Sequence, residues 1–413
     1  MTYDQAVRFL GGFAVVEISG FVAPGFEGVR DAFEQNFVVH GDVGAGVSVV
    51  HHGVEVVHLV GGFADANKTL PYTDDTLQLV FSTTKGAAAM CAHLLAQRGE
   101  LDLDAPVVTY WPEFGAKGKH DIPVRWLLSH KSGLVDVDAS IHPDDGLSWE
   151  LIIEAIEGSE PLWEPGTQHG YHAVTYGWLV GELVKRVSGK TLGTFFHEEF
   201  ATPLGLDFWI GLPPEQDHRV SPIIAFTPPQ AFIDAGISDA TDMDTSGSGL
   251  IKALSAIFGP DNMIARALTA PGGAFKDQNR WNEPEVWHSE IPSANGITNA
   301  SSLAKLYAAC VSEVDGVRIL NADTIKAATH PQTEGGDAVL VIDIPFASGF
   351  MLDGVFSKLG GPGSFGHYGF GGSVGFGDQD NALGFGYVMN QSQLAIAGDP
   401  RTAGLIDAVY AAL

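Results

Sequence analysis

The sequence predicts a mixed α/β fold: an antiparallel sheet flanked by helices and built from both ends of the chain, with a mostly helical region between. Three observations predict it. Strand-like runs cluster before Phe81 and after Gly349, helical periodicity dominates the residues between them, and 45% of the 413 residues are hydrophobic. A chain of that size buries a large core and has room for two or three domain-sized units. The expected division is an α/β part over 1–80, a mostly helical part over 81–289 and a returning α/β part over 290–413.

The elements follow in order. Val29, Phe33 and Phe37 share one helical face, which predicts a helix from Phe26 to Phe37. Ala45 to Val50 and Val54 to Val60 alternate as strands around His51-His52-Gly53, the pattern of a hairpin. A helix is expected from Ser82 to a C-terminal cap at Gly99, and another over Tyr176 to Val187, closed by Ser188-Gly189. Gly211 to Asn295 is rich in Pro, Gly, Asp and Ser and predicts loops and short helices over a pocket. Ser301 to Val311 is helical in pattern. Gly349 to Leu352, Ser373 to Gly377 and Leu383 to Met389 are strand-like, and Thr402 to Leu413 is a closing helix.

Fifty acidic and 22 basic residues leave a formal net charge of -28. Such a surface repels nucleic acid and anionic lipid. The two cysteines, Cys91 and Cys310, make neither a disulfide framework nor a metal knuckle, and Cys91 is expected as a buried free thiol. The N-terminal residues lack a basic segment followed by a long apolar one, and no run is long enough for a membrane span. A cytoplasmic protein is the expectation; its oligomeric state is not encoded in any pattern.

The chemistry concentrates in three places. Ser82-Thr83-Thr84-Lys85 puts a hydroxyl and an amine three residues apart, on one face of a helix start. A serine is a poor nucleophile until a base takes its proton, and the positive helix N-terminus favours both the alkoxide and a neutral amine. Ser302-Leu303-Ala304-Lys305 matches the same spacing, with Ser302 expected to cap a helix and Lys305 to lie on its wet face. Apolar residues before Ser82 and small ones after it bury the first pair, and a buried lysine is costly. Second, Tyr171 lies in a Gly-rich segment just before a helix, and a neighbouring ammonium would lower its pKa. Third, the glycines of Phe365-Gly366-His367-Tyr368-Gly369-Phe370-Gly371-Gly372-Ser373 let backbone N–H groups approach a ligand from an edge strand.

A Ser-x-x-Lys, a Tyr and a His-x-Gly element in this order resemble the serine β-lactamase and penicillin-recognising group, above all class C β-lactamases and family VIII carboxylesterases. The resemblance runs from about Phe26 to Asn390 and includes Gly61-Gly62-Phe63-Ala64-Asp65, Leu128-Ser129-His130 and Pro292-Ser293-Ala294-Asn295-Gly296. It implies a β-lactamase-like fold and a serine hydrolase needing no cofactor or metal. Ser82 would be the nucleophile, and Lys85 and Tyr171 the acid and base. The N–H of Phe370 would stabilise the oxyanion beside that of Ser82, and His367 and Gly369 would contact substrate. Ala173 stands where the β-lactamases carry Asn, and His367-Tyr368-Gly369 where they carry Lys-Thr-Gly. Both departures resemble the esterase branch and imply a small ester as substrate. A β-lactamase, a D-amino-acid peptidase, an acyltransferase and a silent binding protein are the alternatives.

Other motifs fail. Gly371-Gly372-Ser373-Val374-Gly375 matches a nucleophile elbow, but no histidine follows Ser373. Gly361 to Gly366 matches a dinucleotide fingerprint without strand–turn–helix context. His197-Glu198 lacks a second histidine, and His169 and His172 lack a third metal ligand.

Overall fold

A computed structural model describes residues 9, 10, 13, 14, 16–226, 259 and 262–413. The two ends of the chain share one seven-stranded antiparallel sheet. Its order is Met351–Leu352, Ser364–Tyr368, Val374–Asp378, Leu383–Met389, Gly44–His51, Val54–Gly62, Ile18–Val22. The seam is the pairing of Leu383–Met389 with Gly44–His51, from Leu383 opposite His51 to Met389 opposite Ala45. The expected hairpin turns at His52-Gly53 and sits beside that seam.

Glycines set how closely the sheet is covered. Gly375, Gly384 and Gly386 face the Ala300–Val311 helix: a Cβ at Gly384 would sit 2.2 Å from the Ala304 carbonyl oxygen. Phe376, Phe385 and Tyr387 alternate with these glycines and point to the other face. The Glu27–Val38 and Pro400–Tyr410 helices pack together, joined where Asn36 Nδ2 donates to the Arg401 carbonyl at 3.4 Å. Both faces are therefore covered, which is why the Gly44–Val50 stretch is buried residue after residue.

Several boundaries differ from the sequence expectation. The edge strand expected within the glycine-rich Phe365–Ser373 segment spans Ser364–Tyr368; Gly366 fits there because a Cβ would lie 2.2 Å from the Gly375 carbonyl oxygen. The strand expected over Gly349 to Leu352 shrinks to Met351–Leu352, since Gly349 takes a left-handed φ of 88°. Asn299, not Ser302, caps the Ala300–Val311 helix. Its side chain accepts from Ser302 N at 2.8 Å, while the Ser302 hydroxyl accepts from Asp207 N and Lys305 is half-buried. Asn299 has the extended backbone a cap requires, whereas Ser302 is already inside the first turn.

A second sheet, ordered Phe208–Ile210, Gly296–Thr298, Leu77–Leu79, Val220–Ser221, aims the chain at the site. Leu77–Leu79 feeds a 3₁₀ turn at Phe81–Thr83 and then the Thr84–Gln97 helix. The helix expected to end at Ser188-Gly189 spans Thr175–Ser188 and closes on a left-handed Gly189. Within 211–295 the described residues form short helices, including Met263–Thr269, Gln278–Asn282 and Pro284–His288. Positions 227–258, 260 and 261 of that stretch lie outside the described residues. Cys91 and Cys310 are buried free thiols, and among the described residues no helix is long and apolar enough to cross a membrane.

Replacing Gly384 by valine is expected to cost about 2–3 kcal/mol, at the upper end of overpacking, because the collision is with helix backbone. A urea unfolding midpoint unchanged by the substitution would show that the helix can back away from the seam.

Candidate active site

Phe81 carries a φ of 44°, unusual for a bulky residue. Two contacts hold it there. Thr84 Oγ1 donates to the Phe81 carbonyl at 2.5 Å, and its ring packs edge-on against Trp281 and Phe370, with centroids 5.4 and 5.6 Å away. The bend presents Ser82, half-buried, from the 3₁₀ turn rather than from the helix itself.

Lys85 lies one turn further on and is wholly buried. Its Nζ is 3.0 Å from Ser82 Oγ, 2.6 Å from the Ala173 carbonyl oxygen and 3.1 Å from that of Ser293. Among the described residues it pairs with no carboxylate, and burial drives its pKa far below the ordinary lysine value. Tyr171 joins the pair: its ring centroid lies 4.9 Å from Lys85 Nζ. Its hydroxyl is buried without a hydrogen-bond partner. Burial raises the Tyr171 pKa, and the nearby Ser82 offsets that only in part. The expected lowering by an ammonium is therefore overturned: burial raises the tyrosine's pKa, and the same burial lowers that of the lysine.

The third element docks directly on the Phe81–Thr83 turn that carries Ser82. Gly369 N donates to the Ser373 carbonyl at 2.7 Å, and Ser373 Oγ donates to the Val80 carbonyl at 2.9 Å. A Cβ at Gly369 would sit 2.1 Å from that Val80 oxygen, so no larger residue permits the approach. Pairing with Met351–Leu352 covers only Phe365 and Gly366, so beyond them the strand has a free edge at His367 and Tyr368. The Ser82 and Phe370 N–H groups donate to nothing among the described residues, and both residues line one pocket. His367 Nδ1 donates to the Tyr368 carbonyl at 2.6 Å, leaving Nε2 bare and unpartnered. Burial, then the charge of Lys85, pushes the His367 pKa down to about 3, so the ring is neutral. Phe81, Phe275, Trp281 and Phe370 wall the pocket, Gln278 and Asn282 give it polar atoms, and no charged side chain lines it among the described residues.

The family model described as Beta-lactamase matches residues 30–408. The chain belongs to the Beta-lactamase family. It is an enzyme, a serine hydrolase of the β-lactamase fold. It is 32% identical over 379 residues to the Esterase/beta-lactamase LipL of Mycobacterium tuberculosis, covering 91% of this chain and 83% of that one. A crystal structure of a family VIII carboxylesterase shares 37% identity and a TM-score of 0.81, covering 96% of this chain and all of that one. A penicillin-binding protein homolog from Caulobacter crescentus superposes with a TM-score of 0.82 at 35% identity, over 96% of this chain and all of that one.

The hydrolase also uses groups that sequence reasoning missed. The Ala173 and Ser293 carbonyls on Lys85 are backbone atoms, which no residue pattern marks. Asp337 Oδ1 accepts three buried N–H groups, from Tyr171 at 3.0 Å and from Val339 and Leu340 at 2.8 Å each, and so anchors the tyrosine's main chain. The signal for it was an Asp after Gly335-Gly336, a loop acid able to bond its own following amides. His172 is structural: Nδ1 donates to the Gly170 carbonyl, while Nε2 accepts from Ser132 Oγ and Leu134 N.

Asp337→Ala strands three buried donors and is expected to lower unfolding free energy by roughly 3 kcal/mol or more. Asp337→Asn keeps an accepting oxygen and recovers most of it. Equal urea midpoints for the two variants would remove the anchoring role.

Proposed function

We propose that this hydrolase is a serine carboxylesterase, cleaving small, short-chain esters through an acyl-enzyme on Ser82. The observation that carries the reading is the surroundings of Lys85. A neutral amine has two N–H donors and one lone pair. Two carbonyls, of Ala173 and Ser293, take the donors, which leaves the lone pair for the Ser82 hydroxyl 3.0 Å away. Burial favours that neutral form, and it is the neutral form that can act as a base towards Ser82.

Ser82 Oγ attacks the ester carbonyl while its proton passes to Lys85 Nζ. The N–H groups of Ser82 and Phe370 receive the developing oxyanion. Tyr171, whose raised pKa keeps its proton in place, carries a proton from Lys85 to the departing alkoxide, and the ester C–O bond breaks. Water then attacks the acyl-enzyme by the reverse route, releasing acid and Ser82. The neutral His367, whose ring centroid is 6.0 Å from that of Tyr171, shapes the surroundings of the tyrosine and offers its bare Nε2 to the substrate. Gly369 provides the close approach of strand to nucleophile.

Esters are favoured over lactams for a stated reason. A lactam or D-peptide substrate brings a carboxylate that needs a cation, and His367 is uncharged where β-lactamases place a lysine. Ala173 leaves no side-chain amide to grip an acylamino group. Short-chain aryl esters are expected to turn over faster than a chromogenic cephalosporin; the opposite ranking would sink the esterase reading.

Ser82→Ala is expected to lower kcat at least 10⁴-fold and to abolish labelling by a fluorophosphonate, with the adduct mapped by mass spectrometry. Tyr171→Phe should cost about 10²–10⁴-fold in kcat/KM. Protonated Lys85 has no lone pair, so kcat/KM falls as pH drops through its lowered pKa, along a single-proton limb. His367, at about 3, titrates too low to contribute near neutrality. A pH-independent acylation rate between pH 4 and 9 would rule Lys85 out as the base.

A further inference from the structure

Arg401 opens the Pro400–Tyr410 helix, 319 positions after Ser82, and is fully buried. All five of its guanidinium donors are engaged. Nε donates to Asp399 Oδ1 at 3.0 Å. Nη1 donates to Asp42 Oδ1 and to the Gln391 carbonyl, each at 2.8 Å. Nη2 donates to Asp399 Oδ2 at 2.7 Å and to the Gly371 carbonyl. The guanidinium lies directly against the backbone of the next residue, where a Cβ on Gly372 would meet Nη2 at 2.2 Å.

That carbonyl belongs to a short relay. The peptide joining Gly371 to Gly372 has its oxygen held by Arg401 and by Gln393 N at 3.1 Å. Its N–H, from Gly372, donates to the Gly369 carbonyl at 3.2 Å. A trans peptide is planar, with N–H opposite C=O, so fixing the Gly369 oxygen fixes the direction of the Phe370 N–H. Without an anchor, a run of Gly369, Gly371 and Gly372 around Phe370 has more backbone freedom than almost any other sequence.

We infer that Arg401, clamped by Asp399 and Asp42, is a positioning residue that aims the Phe370 N–H at the reacting carbonyl oxygen. The inference rests on the proposed role of Phe370 as oxyanion donor. It goes beyond that role by naming what makes the donor rigid: a buried ion cluster contributed by the last helix and by the segment before Gly44. Its effect belongs to the transition state, because a misaimed donor still admits the neutral ester but stabilises its oxyanion poorly.

The test is a kcat-against-KM split. Arg401→Lys keeps the charge but cannot span the same acceptors with one ammonium. It is expected to lower kcat about 10²-fold on an aryl ester, as loss of one oxyanion donor does, with KM within about threefold. Phosphonylation of Ser82 should slow in parallel. Asp399→Asn, which weakens the clamp without touching Arg401 itself, should show the same split and decides the matter if Arg401→Lys does not fold. Tyr387→Phe is the control: its hydroxyl donates to Asp42 Oδ2 in the same cluster but touches nothing in the turn, so it should lose stability and keep kcat per folded molecule. Parent-like kcat in folded Arg401→Lys or Asp399→Asn overturns the inference, and so does a kcat loss in Tyr387→Phe equal to theirs. A parent enzyme without any Ser82 adduct overturns the nucleophile assignment and this inference together. An adduct formed equally fast by parent and variants overturns this one alone.

Discussion

The burial of one amine without a counter-ion is the constraint on which the site depends. Lys85 occupies the interior of a protein with a formal net charge of -28, yet among the described residues it faces two carbonyls and a hydroxyl and no carboxylate. A lysine in that position is expensive as a cation and tolerable as a neutral donor-acceptor. Everything around it follows from keeping it so. The Thr175–Ser188 helix begins just after Ala173, the second sheet delivers Ser293 beside Gly296–Thr298, and the aromatic wall around Tyr171 excludes water. A single acid lining this space would restore the charge and end the chemistry.

The second constraint is steric. The glycine-rich segment and the Ser82 turn meet where only hydrogen fits, at Gly369 against the Val80 carbonyl. Ser373, which a sequence pattern offers as a nucleophile, spends its hydroxyl on that same junction. Two serines 291 positions apart thus differ in their partners: Ser373 fastens the junction, and Ser82 meets Lys85 beside it. Phe81 shows the cost: its backbone is held in a sparsely populated region by Thr84 and by two aromatic neighbours.

Much of this was legible in the sequence, and what was not has physical causes. Val29, Phe33 and Phe37, the hairpin at His52-Gly53 and Gly189 marked elements through side-chain periodicity or a positive φ. Ser82, Lys85 and Tyr171 were legible as a triad of types, and the fold brings all three together with Gly369 and Phe370. Ser364–Tyr368 was legible as an edge strand within a glycine-rich segment but not in its bounds, because Gly366 interrupts the alternation, and glycine is there because the neighbouring backbone is too close for anything else. The cap at Asn299 was missed because Ser302 mimics it. The Tyr171 pKa was misjudged in direction because sequence displays charge but not burial. The carbonyls that accept from Lys85 were out of reach, since a main-chain oxygen has no identity in a sequence.

The seam between Leu383–Met389 and Gly44–His51 has a consequence for how the enzyme comes into being. The strands on its two sides are separated by more than 300 residues of chain, so the central pairing closes one of the largest loops the polypeptide can make. Synthesis delivers Ser82 and Lys85 early, but the strand that completes the pocket and the helix behind it emerge only near the end. Until then the Gly44–His51 edge has no partner and the lysine has no lid. Assembly of the sheet and assembly of the site are one late event.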